Sequence, residues 1–108
     1  MRIVFPTVEN LSYMSQVASN INEASYFTIL NLTGQTISSV EMLDKKRTSK
    51  DLVKEFKKNN FNVIVVSQTE GLPIEELKKN GVSIFVEENR KKVLSLYSDF
   101  VQDKLKKI

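Results

Sequence analysis

The stretch Asn62-Val63-Ile64-Val65-Val66 constrains this chain more than any other. Four β-branched residues in succession favour extended backbone. With no polar alternation, such a strand must be covered on both faces, which is the position of a central strand in a parallel sheet. Parallel neighbours need crossover connections, so a helix is expected on each side of this segment in sequence.

Both helices are legible. Thr48-Ser49-Lys50-Asp51 places an acid three residues after a hydroxyl, the pattern of a capping box. Leu52, Val53 and Phe56 follow as a short apolar stripe, and Asn59-Asn60 ends it. Downstream, Leu72-Pro73-Ile74-Glu75-Glu76-Leu77-Lys78-Lys79-Asn80-Gly81 has proline near the first helical position, acids in the first turn, lysines in the last and glycine after the end. Val82-Ser83-Ile84-Phe85-Val86 reads as the next strand. From Asn89 onward Val93, Leu94, Tyr97, Phe100, Val101, Leu105 and Ile108 recur at intervals of three and four, predicting a long C-terminal helix.

The N-terminal half is β-rich. Arg2-Ile3-Val4-Phe5 is a short strand expected to end at Pro6, which cannot donate to a ladder. Thr7 to Ser25 is polar and reads as a long loop with a helical turn. Tyr26–Leu32 and Gln35–Leu43 are rich in β-branched and aromatic residues, and Thr33-Gly34 between them supplies a hairpin turn. In the second of these strands Ile37, Glu41 and Leu43 have one parity and Val40 and Met42 the other, so its buried face is ambiguous. The expected order is β-β-β-α-β-α-β-α in a single α/β domain over residues 1–108, with a mixed sheet of about five strands and helices packed on it.

The chain has no cysteine and no histidine. Disulfides, thiolate-bound iron–sulfur centres and a cysteine nucleophile are therefore excluded. Zinc and non-haem iron sites lose their usual ligands, leaving carboxylates, amides and hydroxyls for a hard ion. Hydrophobic residues at 41% and charged residues at 27% exclude a disordered chain. Ile3-Val4-Phe5 is too short an apolar run for a signal peptide or a membrane span, so a cytoplasmic protein without membrane association is the expectation. The net charge of +3 is spread over Lys45-Lys46-Arg47, Lys57-Lys58, Lys78-Lys79, Arg90-Lys91-Lys92 and Lys106-Lys107. Most of these groups sit at or near helix ends, which favours a solvated surface over a nucleic-acid groove.

The order of elements, Ser25-Tyr26-Phe27 entering a hairpin, and Glu70-Gly71 beyond the strongest strand together resemble the dinitrogenase iron-molybdenum cofactor biosynthesis family, the NifX or NifB C-terminal type of domain. The resemblance runs from Arg2-Ile3-Val4-Phe5-Pro6-Thr7 to the last helix. It implies a ribonuclease-H-like three-layer fold and an accessory role in which some members carry iron–sulfur or molybdenum-containing cluster precursors. The family's stretch Ser-x-His-Phe-Gly-Arg-Ala-Pro-Tyr-Phe corresponds to Ala18-Ser19-Asn20-Ile21-Asn22-Glu23-Ala24-Ser25-Tyr26-Phe27. Ala24, Tyr26 and Phe27 keep the pattern, whereas Asn20 replaces histidine, Asn22 glycine and Glu23 arginine. The family's glycine-rich loop after the hairpin becomes Asp44-Lys45-Lys46-Arg47-Thr48, whose lysines repel a cation. The scaffold is thus expected to persist while its metal chemistry is altered or lost.

Ligands in open α/β sheets bind at the carboxyl ends of parallel strands. That places candidate binding residues at Thr7, Asn10, Asn20, Asn22, Glu23, Ser67, Gln68, Thr69 and Gly71, around a small polar or anionic ligand. The competing reading of the same residues is turns and caps. Ser67-Gln68-Thr69-Glu70-Gly71 lacks the glycine spacing and Lys-Ser/Thr ending of a P-loop. A two-metal nuclease would need converging carboxylates, and Glu9, Glu23, Glu41, Asp44 and Glu70 are dispersed. The resulting expectation is a non-enzymatic accessory or binding domain with no resident metal, acting through a protein partner in metal-cofactor assembly or a small anionic ligand. An iron–sulfur or iron-molybdenum cluster precursor enters only through the resemblance. A nucleic-acid-binding protein or an enzyme on the same fold is the alternative.

Overall fold

The computed structural model describes residues 1–108 throughout. Six strands form one mixed sheet in the order β3-β2-β1-β4-β5-β6. They are β1 (Arg2–Thr7), β2 (Tyr26–Thr33), β3 (Thr36–Asp44), β4 (Val63–Val66), β5 (Ser83–Val86) and β6 (Lys106–Lys107). As its composition requires, β4 is buried at every position and lies between β1 and β5, parallel to both. Its side chains divide between two cores. Val63 and Val65 join Ile3, Phe5, Leu30, Val93 and Leu96, while Ile64 and Val66 join Val4, Ile29, Phe56, Leu77 and Ile84.

Those memberships define three layers. Helices α1 (Leu52–Asn59) and α2 (Ile74–Lys79) cover one face, and α3 (Val93–Val101) covers the other. Asn60 takes the left-handed conformation at the end of α1, with φ 55°, a place where asparagine is tolerated. The start of α1 differs from expectation. Asp51 itself is the cap, accepting from the Lys54 amide at 3.2 Å, and Thr48 instead donates its hydroxyl back to the Lys45 carbonyl.

Three further expectations are corrected. Strand β1 runs through Pro6 to Thr7. The Pro6 carbonyl accepts from Ala18 on the side away from β2, so its missing N–H falls where the β2 ladder has no use for it. The ambiguity of β3 is resolved by a register shift: Asn31 pairs with Ser39, but Leu32 pairs with Ile37. The extra residue, Ser38, lets Ile37 and Val40 pack against the same core despite opposite parity. Leu43 turns to the α1 side. So does Glu41, which bonds Arg2 and Asn31 near the rim.

The last correction is at the C-terminus. The helix ends at Val101, after which the Asp103 amide reaches Phe100 and the Lys104 amide reaches Asp99. With Asp103 at φ 57°, this is a Schellman termination. The apolar residues that seem to prolong the helical repeat serve another purpose. Leu105 enters the α3 core, Ile108 packs on the opposite one, and Lys106–Lys107 pair with β5 as a sixth strand.

If Leu105 closes that core, Leu105→Ala should lower unfolding free energy by about 2–3 kcal/mol. A urea midpoint within error of the parent protein would show that the terminal strand is dispensable.

Candidate functional site

The carboxyl ends of β1 and β4 meet the start of β2 and the end of β3 at one end of the sheet. A cleft of about 830 Å³ opens there. Its wall comes from four separated segments: Val8 after β1, the turn Ile21–Glu23 with Ala24, Ser25 and Tyr26, the linker from Asp44 to Leu52, and Gly71 after β4.

Each wall is fixed by an identifiable contact. The Asn20 carbonyl oxygen of the side chain accepts from the amides of Asn22 and Glu23, at 2.9 and 3.2 Å, and its amide donates to Glu70 at 3.2 Å. One side chain thereby caps the first wall and ties it to the loop after β4. At Gly71, φ is +79° and an added Cβ would stand 2.5 Å from the Asn22 amide nitrogen. The left-handed backbone is what calls for glycine there, and a methyl group would displace the Asn22 side-chain amide. On the far wall Glu55 is buried, accepting from the Ser49 amide at 2.7 Å and from the Asn59 amide at 3.1 Å. It clamps the linker onto α1.

Lys45 closes the base of this arrangement. Its backbone amide donates to the Ser25 carbonyl at 3.1 Å, and its ammonium donates to the Ile21 carbonyl. Desolvation pushes its pKa below the ordinary lysine value, partly offset by the charge of Glu23. Asp44 is the only carboxylate lining the cleft, and one of its oxygens accepts from the Lys46 amide at 2.9 Å. The Asn22 amide, the Tyr26 hydroxyl and the ammonium groups of Lys46 and Lys50 also line it without a partner inside the chain.

The residues expected at the site therefore separate. Asn22 and Gly71 line the cleft, Asn20 braces it, and Glu23 acts through its charge on Lys45. Thr7 is fully buried and bonded to the Thr28 hydroxyl at 2.9 Å. Ser67 is also buried and donates to the Glu88 carbonyl at 3.0 Å. Asn10, Gln68 and Thr69 lie outside the lining, the Thr69 carbonyl capping Leu72. Sequence reasoning missed Lys45, Lys46 and Lys50 as cleft residues, and Glu55 as the anchor of the linker that carries them. The signal was the linker after β3, read there only as a loop hostile to metal.

The side chains present do not suit ligation of an iron–sulfur or molybdenum cluster. There is no group of three residues among His, Cys, Asp and Glu able to hold a metal ion, and the lining opposes one aspartate with three lysines. Thiolate and imidazole are the donors such metals select.

Comparison with known proteins gives a consistent picture. The sequence profile of the dinitrogenase iron-molybdenum cofactor family matches residues 1–103. No curated protein matches the sequence. Among solved structures, a candidate NifB protein from Thermotoga shares 20% identity at a TM-score of 0.78, covering 98% of this chain and 91% of its own. The apo orange protein of Desulfovibrio gigas shares 14% at 0.79, covering 99% and 92%. A candidate dinitrogenase of Methanocaldococcus jannaschii shares 19% at 0.72, covering 100% and 94%. These likenesses show a common fold.

Two outcomes follow from the cleft geometry. Gly71→Ala should cost about 1–2 kcal/mol from the left-handed backbone and should shift the amide resonances of Asn22; unchanged Asn22 signals would deny the close approach. For Lys45, the folded pKa lies below the unfolded one. Between the two values the unfolded chain binds more protons, so the stability of the parent protein rises with pH there. Lys45→Met should lack that rise, as read from urea unfolding across the alkaline range just below the ordinary lysine pKa.

Proposed function

Because the chain belongs to the dinitrogenase iron-molybdenum cofactor family, whose profile spans residues 1–103, we propose that it is a non-enzymatic accessory domain that does not itself ligate a metal cluster. The single observation that carries this reading is the cleft's donor set: three lysines, an asparagine amide and hydroxyls around one aspartate, in a chain without cysteine or histidine. A protonated ammonium has no lone pair to offer a metal, and asparagine is a poor ligand for a soft one.

The same residues support a binding role over a catalytic one. The Thr48 hydroxyl donates to the Lys45 carbonyl at 2.6 Å, and the Asp44 carboxylate caps the turn after β3. Neither stands beside an imidazole that could serve as base. A nuclease would need carboxylates gathered at the sheet, and none are gathered. Within cofactor assembly the domain acts through a partner protein or through a small anion held in the cleft.

Anaerobic purification followed by metal analysis tests this directly. Iron and molybdenum should each be well below one atom per chain, and incubation with a cluster donor should leave the visible spectrum of the separated protein unchanged. Stoichiometric iron or molybdenum on the monomer would refute the proposal.

A further inference from the structure

The unpartnered groups in the cleft share one chemical bias. Lys46 and Lys50 are exposed cations with no ion pair, and the Asn22 amide has no partner across Gly71. Ser25 and Tyr26 on one wall and Ser49 on the other add hydroxyls to the lining. Of the nearby acceptors, Asp44 accepts from the Lys46 amide, Glu55 from Ser49 and Asn59, and Glu70 from Asn20, while the Glu23 charge bears on Lys45 and leaves Lys46 and Lys50 unpaired. Three lysines against one aspartate leave the lining with a surplus of two positive charges. A phosphate monoester carries about −1.5 to −2 charge at neutral pH and three acceptor oxygens.

The cleft is also larger than a bare anion needs. Its volume of about 830 Å³ falls in the roughly 300–1,000 Å³ range of small-molecule sites. Val8, Ile21, Ala24 and Leu52 give it an apolar side, and Tyr26 offers a ring. Apolar surface combined with a few convergent polar groups is the usual composition of a site for an organic ligand. We propose that this cleft binds an organic phosphate, with the anionic head held by Lys46, Lys50 and Asn22 and the planar or apolar body against Tyr26 and the aliphatic wall. The ammonium of Lys45, turned toward the Ile21 carbonyl, adds charge behind the head.

This inference deepens the reading of a non-ligating cleft and rests on it, but the two fail separately. Metal content decides the first. Phosphate binding decides the second, whatever the metal content. The probes are ADP, FMN and inorganic pyrophosphate, titrated at low salt into the full chain and followed by amide resonances. At least one of ADP and FMN should bind with a dissociation constant below about 1 mM and shift Asn22, Tyr26 and the Lys46–Lys50 segment, with affinity falling as salt screens the lysines. Pyrophosphate should bind more weakly.

Lys46→Ala with Lys50→Ala should weaken the organic probe by about tenfold or more. Lys57→Ala with Lys58→Ala, at the end of α1, should leave it unchanged as a charge control. Tyr26→Ala should weaken the organic probe and spare pyrophosphate. All the substituted lysines are exposed, so their variants should fold, and circular dichroism checks it. The proposal is overturned by no shift with any probe or by an unchanged affinity in the Lys46/Lys50 variant. Pyrophosphate binding as tightly as ADP and FMN also overturns it, since the organic body would then contribute nothing.

Discussion

The burial of β4 on both faces is the constraint from which the rest of the molecule follows. A strand whose four residues all avoid water needs a parallel neighbour on each side and a helical layer above and below. The chain supplies β1 and β5 as neighbours, α1 and α2 above, and α3 below. Burying a side chain of valine or isoleucine size is worth about 1.5–3 kcal/mol, and four in a row commit this segment to the middle of the sheet. The antiparallel pair β2 and β3 then extends the sheet beyond β1, and its outer end is where the cleft forms.

Elements governed by local chemistry were legible in the sequence. The β-branched run, the proline and acids opening α2, the asparagines closing α1 and the glycine in the hairpin each act within a few residues, so their effect can be read in place. Elements decided by distant partners were not. Leu105 and Ile108 continue a helical spacing, yet the Schellman turn at Asp103 and the open edge of β5 divert them into a strand. The bulge at Ser38 is visible as a broken alternation, but only pairing with Asn31 and Leu32 shows which face each residue takes. Pro6 survives inside a strand because of where Ala18 arrives.

The site divides along the same line. Polar residues after strands point to the end of the sheet where the cleft opens, and Asn20, Asn22, Glu23 and Gly71 lie at or beside it. Type and position could not separate Thr7 and Ser67 from them, since a hydroxyl pointing into a core looks the same in sequence as one pointing into a cavity. Lys45 and Glu55 lay hidden for the opposite reason. Each resembles an ordinary surface charge until the fold brings the Ile21 carbonyl to one and the Ser49 amide to the other. Asn20 is informative in both frames: in the sequence it stands where the resemblance implies a ligand, and in the fold it is a brace between two loops.

The four segments that make up the cleft wall all precede residue 72, so β5, α3 and β6 contribute no lining residue. Anything held there acts as a non-covalent cross-link within the N-terminal two-thirds of the chain. The C-terminal third senses it by two routes: through β4, whose Ile64 and Val66 share a core with Ile21 and Ile84 while Val63 and Val65 share the other with Val93 and Leu105, and through Ser15 and Val17, which bond the backbone of Val93 and Lys91. Slowing of amide hydrogen exchange on occupancy is then graded, strongest in the wall and fading toward α3, with the doubly buried strand and the Ser15–Val17 segment as its two relays.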